Sequence, residues 1–175
     1  GKEFGFETIG LIRGENNVPL NPTLSFALEC GMQLHFITRD AYRDKENPEY
    51  LARLHRQYGD FYLLPEGGTN ALGVKGCAEI VSEISKAYDF LCCPCGTGGT
   101  LAGLIAGDAG KNTLLGFSVL KGLKDLEGRI EELIRDYSGR DYANWSVPIN
   151  ESDYSLQRLL AHLATRAAAR DRNKV

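Results

Sequence analysis

Two glycine- and threonine-rich stretches hold the residues best suited to chemistry. Cys95-Gly96-Thr97-Gly98-Gly99-Thr100 follows the apolar run Phe90-Leu91-Cys92-Cys93-Pro94 and precedes Leu101-Ala102-Gly103-Leu104. A strand that runs through such a turn into a helix lets consecutive backbone N–H groups converge at the positive end of the helix, with few side chains in the way. Thr97 and Thr100 can add hydroxyl donors. That assembly suits a phosphate group. The same pattern also describes a plain strand-to-helix turn with a threonine N-cap, and the local sequence leaves both readings open. The second stretch is Pro65-Glu66-Gly67-Gly68-Thr69-Asn70-Ala71-Leu72-Gly73. It also lies between an expected strand and an expected helix, so in a parallel sheet it faces the same edge as the first. Thr69 or Asn70 is an ordinary helix N-cap. Two such loops at one sheet edge point to a pocket.

Missing residues narrow the choice of phosphate. A P-loop needs Lys followed by Ser or Thr after its last glycine, and here Thr100 and Leu101 follow Gly99. The dinucleotide fingerprint needs Gly where Leu101 stands, and an acid at the end of the next strand, which reads Ser118-Val119-Leu120-Lys121. A nucleotide-binding Rossmann-type domain is therefore the weaker alternative, and a single phosphate ester on a small cofactor remains. Other chemistry has little support. No G-x-S-x-G is present; His35 lies in a strand pattern, His55 on a helix surface and His162 in the final amphipathic segment. Glu131 with Glu132, and Glu79 with Glu83, read as solvated helix faces. The five cysteines, Cys30, Cys77, Cys92, Cys93 and Cys95, include a C-x-x-C pair but no matching second pair. They read as small apolar core residues, with no metal site expected.

The elements that position these loops alternate along the chain. Strands are expected at residues 7–13, 33–38, 61–64, 90–94 and 114–120. Helices are expected after Asn21-Pro22, then over 49–58, 71–86, 100–106 and 123–137, the last with Leu126, Ile130, Leu133 and Ile134 on one face. Strands joined by helices of this length imply right-handed crossovers and mainly parallel sheets, an α/β fold. A lobe boundary expected near Pro65–Thr69 and a change of pattern from Tyr154 on divide the chain into 1–64, 65–154 and a basic amphipathic tail, 155–175. The formal net charge of −3 and pI near 5.7 argue against a dedicated nucleic-acid binder. No apolar run approaches the ~18 residues of a membrane helix. Gly1-Lys2-Glu3-Phe4 is neither a signal peptide nor a start methionine. A cytoplasmic protein cut out of a longer chain is expected.

Glu66-Gly67-Gly68-Thr69-Asn70-Ala71-Leu72-Gly73 followed by Cys95-Gly96-Thr97-Gly98-Gly99-Thr100-Leu101-Ala102-Gly103-Leu104 resembles the pyridoxal-phosphate enzymes of the D-cysteine desulfhydrase and 1-aminocyclopropane-1-carboxylate deaminase family, of the tryptophan-synthase-beta-like fold. The similarity runs from Gly1 to about Tyr154. It implies a two-lobed enzyme, with residues 1–64 in the small lobe and 65–154 in the large, cofactor-binding lobe. It implies that Cys95, Gly96, Thr97, Gly98, Gly99 and Thr100 wrap the phosphate of pyridoxal 5'-phosphate, and that Gly67, Gly68, Thr69 and Asn70 line the cleft beside it. The implied substrate is a small amino acid: D-cysteine, giving pyruvate, sulfide and ammonia, or the cyclopropane amino acid, giving 2-oxobutanoate and ammonia. A homodimer is implied for an intact relative. The family's Schiff-base lysine precedes the point where this chain begins, so no catalytic residue is assigned here. Lys75 is the nearest substitute, though a solvated helix lysine fits it better. After residues 150–154 the family continues into a Gly-rich stretch, where this chain reads Ser155-Leu156-Gln157-Arg158. A fragment without turnover is expected, and a non-catalytic phosphate-binding remnant is the further alternative.

Overall fold

Two parallel sheets organise the chain in the computed structural model, which describes residues 1–15, 19–45, 47–119 and 125–147. One sheet belongs to the unit Gly1–Tyr62 and the other to the unit Leu63–Val175. In the first unit, β1 (Ile9–Arg13) pairs in parallel with β2 (Gln33–Ile37), in a register running from Ile9 opposite Gln33 to Arg13 opposite Ile37. Helix α1 (Pro22–Glu29) makes the crossover. It starts where the sequence predicts, with Pro22 in the first turn and Asn21 Oδ1 accepting the Leu24 N–H at 2.9 Å. A short α2 (Arg39–Arg43) follows, capped by Thr38; its five residues are too few to leave a periodic signal in the sequence. Helix α3 (Pro48–Tyr58) is capped by Asn47 and buries Tyr50 and Leu54, one turn apart. His35 of β2 packs on α3: its Nδ1 lies 3.0 Å from Tyr58 Oη, and the rings meet edge to face.

The second unit is built from α4 (Ala71–Glu83), β3 (Phe90–Cys95), α5 (Gly99–Asp108), β4 (Thr113–Ser118), α6 (Leu126–Ser138) and β5 (Trp145–Ser146). Its strands lie in the order β3-β4-β5, all parallel. The core holds Val74 of α4, Leu101 and Ile105 of α5, Leu114 of β4 and Ile130 and Ile134 of α6. Burying each of these side chains is worth about 1.5–3 kcal/mol. Helices α4 and α5 pack backbone to backbone, because Gly103 and Gly107 stand one turn apart on the shared face. A Cβ on Gly103 would strike Cys77 and the Val74 carbonyl, and one on Gly107 would strike the Ala78 carbonyl. At the far end of α5, Asp108 is 1 % exposed. Its carboxylate accepts from Tyr88 Oη–H, from the Asn112 main-chain and side-chain N–H groups, and from Asn144 Nδ2–H, at 2.7–3.3 Å. Asn144 thereby ties the entry of β5 to α5. This cluster left no sequence signal, since its members are ordinary turn residues until the fold gathers them.

Two expectations need correction. Residues 61–64 pair with no strand among the described residues and run as irregular chain, with Leu63 41 % and Leu64 69 % exposed. Four apolar residues make a strand only when a sheet edge receives them. The cysteines are not uniformly core: Cys93 and Cys95 are buried, Cys30 and Cys77 half-buried, and Cys92 exposed, because neighbours along a strand point to opposite faces. Residues 120–124 and the tail from 148 onward, with its expected amphipathic helix, lie outside the described residues.

Candidate functional site

The first loop is formed where β3 meets α5. Cys95 ends the strand, Gly96, Thr97 and Gly98 make the turn, and α5 begins at Gly99. Gly98 is the N-cap residue at φ 89°, a left-handed conformation that disfavours any side chain. A Cβ there would also lie 2.7 Å from Ile130 Cγ1, so α6 closes the loop from below. No side chain caps α5. The first-turn N–H groups of a helix have no partners within it, and they carry the positive end of its dipole, about half an elementary charge. Above them lies a cavity of about 40 Å³ lined by residues 94–101. At ~10–15 Å³ per water, that is room for about three waters or one small tetrahedral anion. Among the described residues the lining contains no Lys, Arg or His, so the donors it offers an anion there are neutral.

The second loop reaches the first although no strand precedes it. A 3₁₀ turn, Glu66–Gly68, leads through Thr69 to Asn70, whose Oδ1 accepts the Gly73 N–H at 2.9 Å and caps α4. Thr69 and Thr97 share a hydrogen bond between their hydroxyls. Gly67 stands so close that a Cβ on it would lie 2.6 Å from Thr97 Oγ1, and a Cβ on Gly99 would lie 3.0 Å from Thr69 Oγ1. The two loops therefore meet through Thr69 and Thr97. Cys95, Gly96, Thr97, Gly98, Gly99 and Thr100 line the cavity; Gly68, Thr69 and Asn70 stand beside it and not in its wall. Cys95 offers its backbone, because its S–H turns into the protein toward the Cys93 carbonyl at 3.4 Å. The adjoining Cys93 thiol, together with burial, pushes the Cys95 thiol well above the ordinary cysteine range.

The donor set fits a phosphate ester: an uncapped helix start, glycines whose backbone is unobstructed, and two threonine hydroxyls. It fits a dinucleotide poorly. Leu101 is fully buried against β4, where a Cβ on Gly116 would strike it, so α5 stands off the sheet by a leucine side chain where a dinucleotide fold needs glycine. Lys75 is exposed on α4 and does not line the cavity. Among the described residues no cluster of His, Cys, Asp and Glu could hold a metal ion, and no helix is long and apolar enough to cross a membrane. Sequence reasoning missed the floor of the loop. Ile130 was assigned to a buried helix face, but nothing in its spacing named Gly98 as the residue it would meet.

No family model matches the chain. A Thermotoga maritima protein whose provisional name is 1-aminocyclopropane-1-carboxylate deaminase is 29 % identical over 113 residues, which cover 61 % of this chain and 36 % of that protein. A Pyrococcus furiosus protein with the same provisional name is 25 % identical over 168 residues, 88 % of this chain and 50 % of that one. The crystal structure described as that of an ACC deaminase homologue superposes with a TM-score of 0.68 at 22 % identity, covering 83 % of this chain and 49 % of its own. The α/β fold with parallel sheets is thus shared with that structure, and the curated relatives that match the chain carry names from the family that the two loops resemble. The chain spans between about a third and a half of the length of the curated relatives it matches.

Proposed function

We propose that this chain carries the phosphate cradle of a pyridoxal-phosphate-dependent deaminase or lyase acting on a small amino acid. The observation that carries the reading is the junction of the two loops: Thr69 bonded to Thr97 over a glycine-built, uncapped start of α5. The backbone N–H groups of residues 96–100 and the hydroxyls of Thr97 and Thr100 would hold the ester phosphate. Gly98, packed on Ile130, keeps that backbone fixed before the anion arrives. Donors positioned in advance bind better than donors that must be ordered on binding. When bound, the cofactor supplies an electron-withdrawing ring that stabilises negative charge on the carbon of an attached amino acid. The residues described here anchor and orient. None of them is assigned a proton transfer.

The relatives' names favour the cyclopropane amino acid as substrate over D-cysteine. Residues 1–64 as part of a small lobe, 65–154 as part of a cofactor lobe, and a homodimer for an intact relative belong to the same proposal. Equilibrium dialysis against pyridoxal phosphate and against ADP tests it. Retention of pyridoxal phosphate, with ADP passing freely, supports the cradle. Retention of ADP alone overturns it in favour of a nucleotide domain, the reading that buried Leu101 opposes.

A further inference from the structure

We propose that Thr69 is a positioning residue of the phosphate cradle: its hydroxyl donates to Thr97 Oγ1 and so commits the Thr97 proton to the bound anion. This rests on the phosphate reading of the cavity over α5. Each threonine hydroxyl has one proton and two lone pairs, so in the free chain either partner can donate across the Thr69–Thr97 bond. The ionised oxygens of a phosphate are acceptors only. Once one sits in the cavity that Thr97 lines, the Thr97 proton turns to it, and the bond between the threonines persists only if Thr69 supplies the proton. The result is a relay from Thr69 O–H to Thr97 O–H to the anion, in which each bond polarises the next.

The surroundings hold Thr69 to that task. Its side chain is wedged against the first residue of α5, since a Cβ on Gly99 would lie 3.0 Å from Thr69 Oγ1 and 3.2 Å from its Cγ2. Gly67, at φ 71°, leaves the Thr97 hydroxyl uncovered by any side chain of its own. Thr69 does not line the cavity, so it acts through Thr97. Gly67, Thr69, Thr97 and Gly99 are in this sense one device drawn from two loops.

The test uses the full chain and inorganic phosphate, with affinity read by ³¹P NMR or calorimetry. Thr69→Val keeps the branched shape and removes the hydroxyl; Thr69→Ser keeps the hydroxyl; Thr69→Ala replaces the valine variant if that does not fold. Loss of one hydrogen bond in a charged relay corresponds to about a tenfold fall in affinity for Thr69→Val. Thr69→Ser should bind as the parent does, and cooperative melting of each variant ensures that affinities are compared between folded chains. In a Thr97→Val background, Thr69→Val should cost nothing further, because the relay is already cut. Unchanged affinity in Thr69→Val, or losses that add in the double variant, would overturn the assignment. Failure of the parent chain to bind phosphate would instead overturn the cradle itself, and this assignment with it.

Discussion

Replacing Gly98 and Gly96 one at a time separates the glycine that the fold needs from the glycine that the ligand needs. Gly98→Ala forces a Cβ into a left-handed residue, which costs about 1–2 kcal/mol. The new methyl also meets Ile130 Cγ1 at 2.7 Å and Leu126 Cδ1 at 3.3 Å, both on a buried helix face, and overpacking of that kind costs about 1–3 kcal/mol. Together these give about 2–5 kcal/mol, a large share of the ~5–15 kcal/mol typical of a domain. With a urea m-value of ~2 kcal/mol/M, the unfolding midpoint falls by about 1–2.5 M. Gly96 has no atom within 4 Å of an added Cβ, and its φ is outside the left-handed region. Gly96→Ala should therefore leave the midpoint unchanged or raise it by about 0.4–1 kcal/mol equivalent. Gly96 lines the cavity, however, and a methyl that displaces one donated bond to an anion weakens phosphate binding about tenfold or more. Urea titration with fluorescence of Trp145, paired with phosphate affinity, reads both effects. An unchanged midpoint for Gly98→Ala refutes the packing of the loop on α6. Full affinity in Gly96→Ala refutes the cradle.

Three further outcomes follow from particular residues. Asp108→Asn places an amide N–H₂ where two donors now point, so two charge-assisted bonds are lost at ~1.5–3 kcal/mol each; urea unfolding should show a loss of about 3–6 kcal/mol, and a change under ~0.5 kcal/mol would contradict the network. Iodoacetamide followed by peptide mapping should modify Cys92 before Cys93 and Cys95, which react only on unfolding. Burial, and then the neighbouring Cys93, push the Cys92 thiol up, so its alkylation rate should keep climbing with pH beyond the ordinary cysteine range. Finally, Lys75, Lys86 and Lys111 are all exposed. Borohydride reduction of the chain loaded with pyridoxal phosphate should mark no single lysine, and neither pyruvate from D-cysteine nor 2-oxobutanoate from the cyclopropane amino acid should form; a unique adduct on Lys75 together with product would refute this.

The loops could be read in the sequence because glycine and threonine between an apolar run and a helix mark both a backbone conformation and a chemistry. Helix starts were equally plain at Asn21 and Asn70, where a side-chain oxygen has one local task. What sequence spacing misses is whatever the fold assembles from a distance. The contact of Gly98 with Ile130, the gathering of donors around Asp108, and the pairing of two-residue β5 with β4 depend on which elements become neighbours. Residues 61–64 show the converse. Their apolar, β-prone sequence states what they could do, and the described structure gives them no strand to do it with. The junction of Thr69 and Thr97 lies between these cases: each threonine was noted, but their hydrogen bond belongs to the fold.

Backbone amide NMR on the ¹⁵N-labelled chain, titrated with inorganic phosphate, addresses the cradle most directly, because the proposed donors are the observed nuclei. Saturable shifts should concentrate in the amides of residues 96–101, with Thr69 perturbed through Thr97 and the amides of Asn112 and Asn144, at the far end of α5, unmoved. Shifts scattered over surface lysines and arginines, or none at residues 96–101 while phosphate binds elsewhere, would contradict the account.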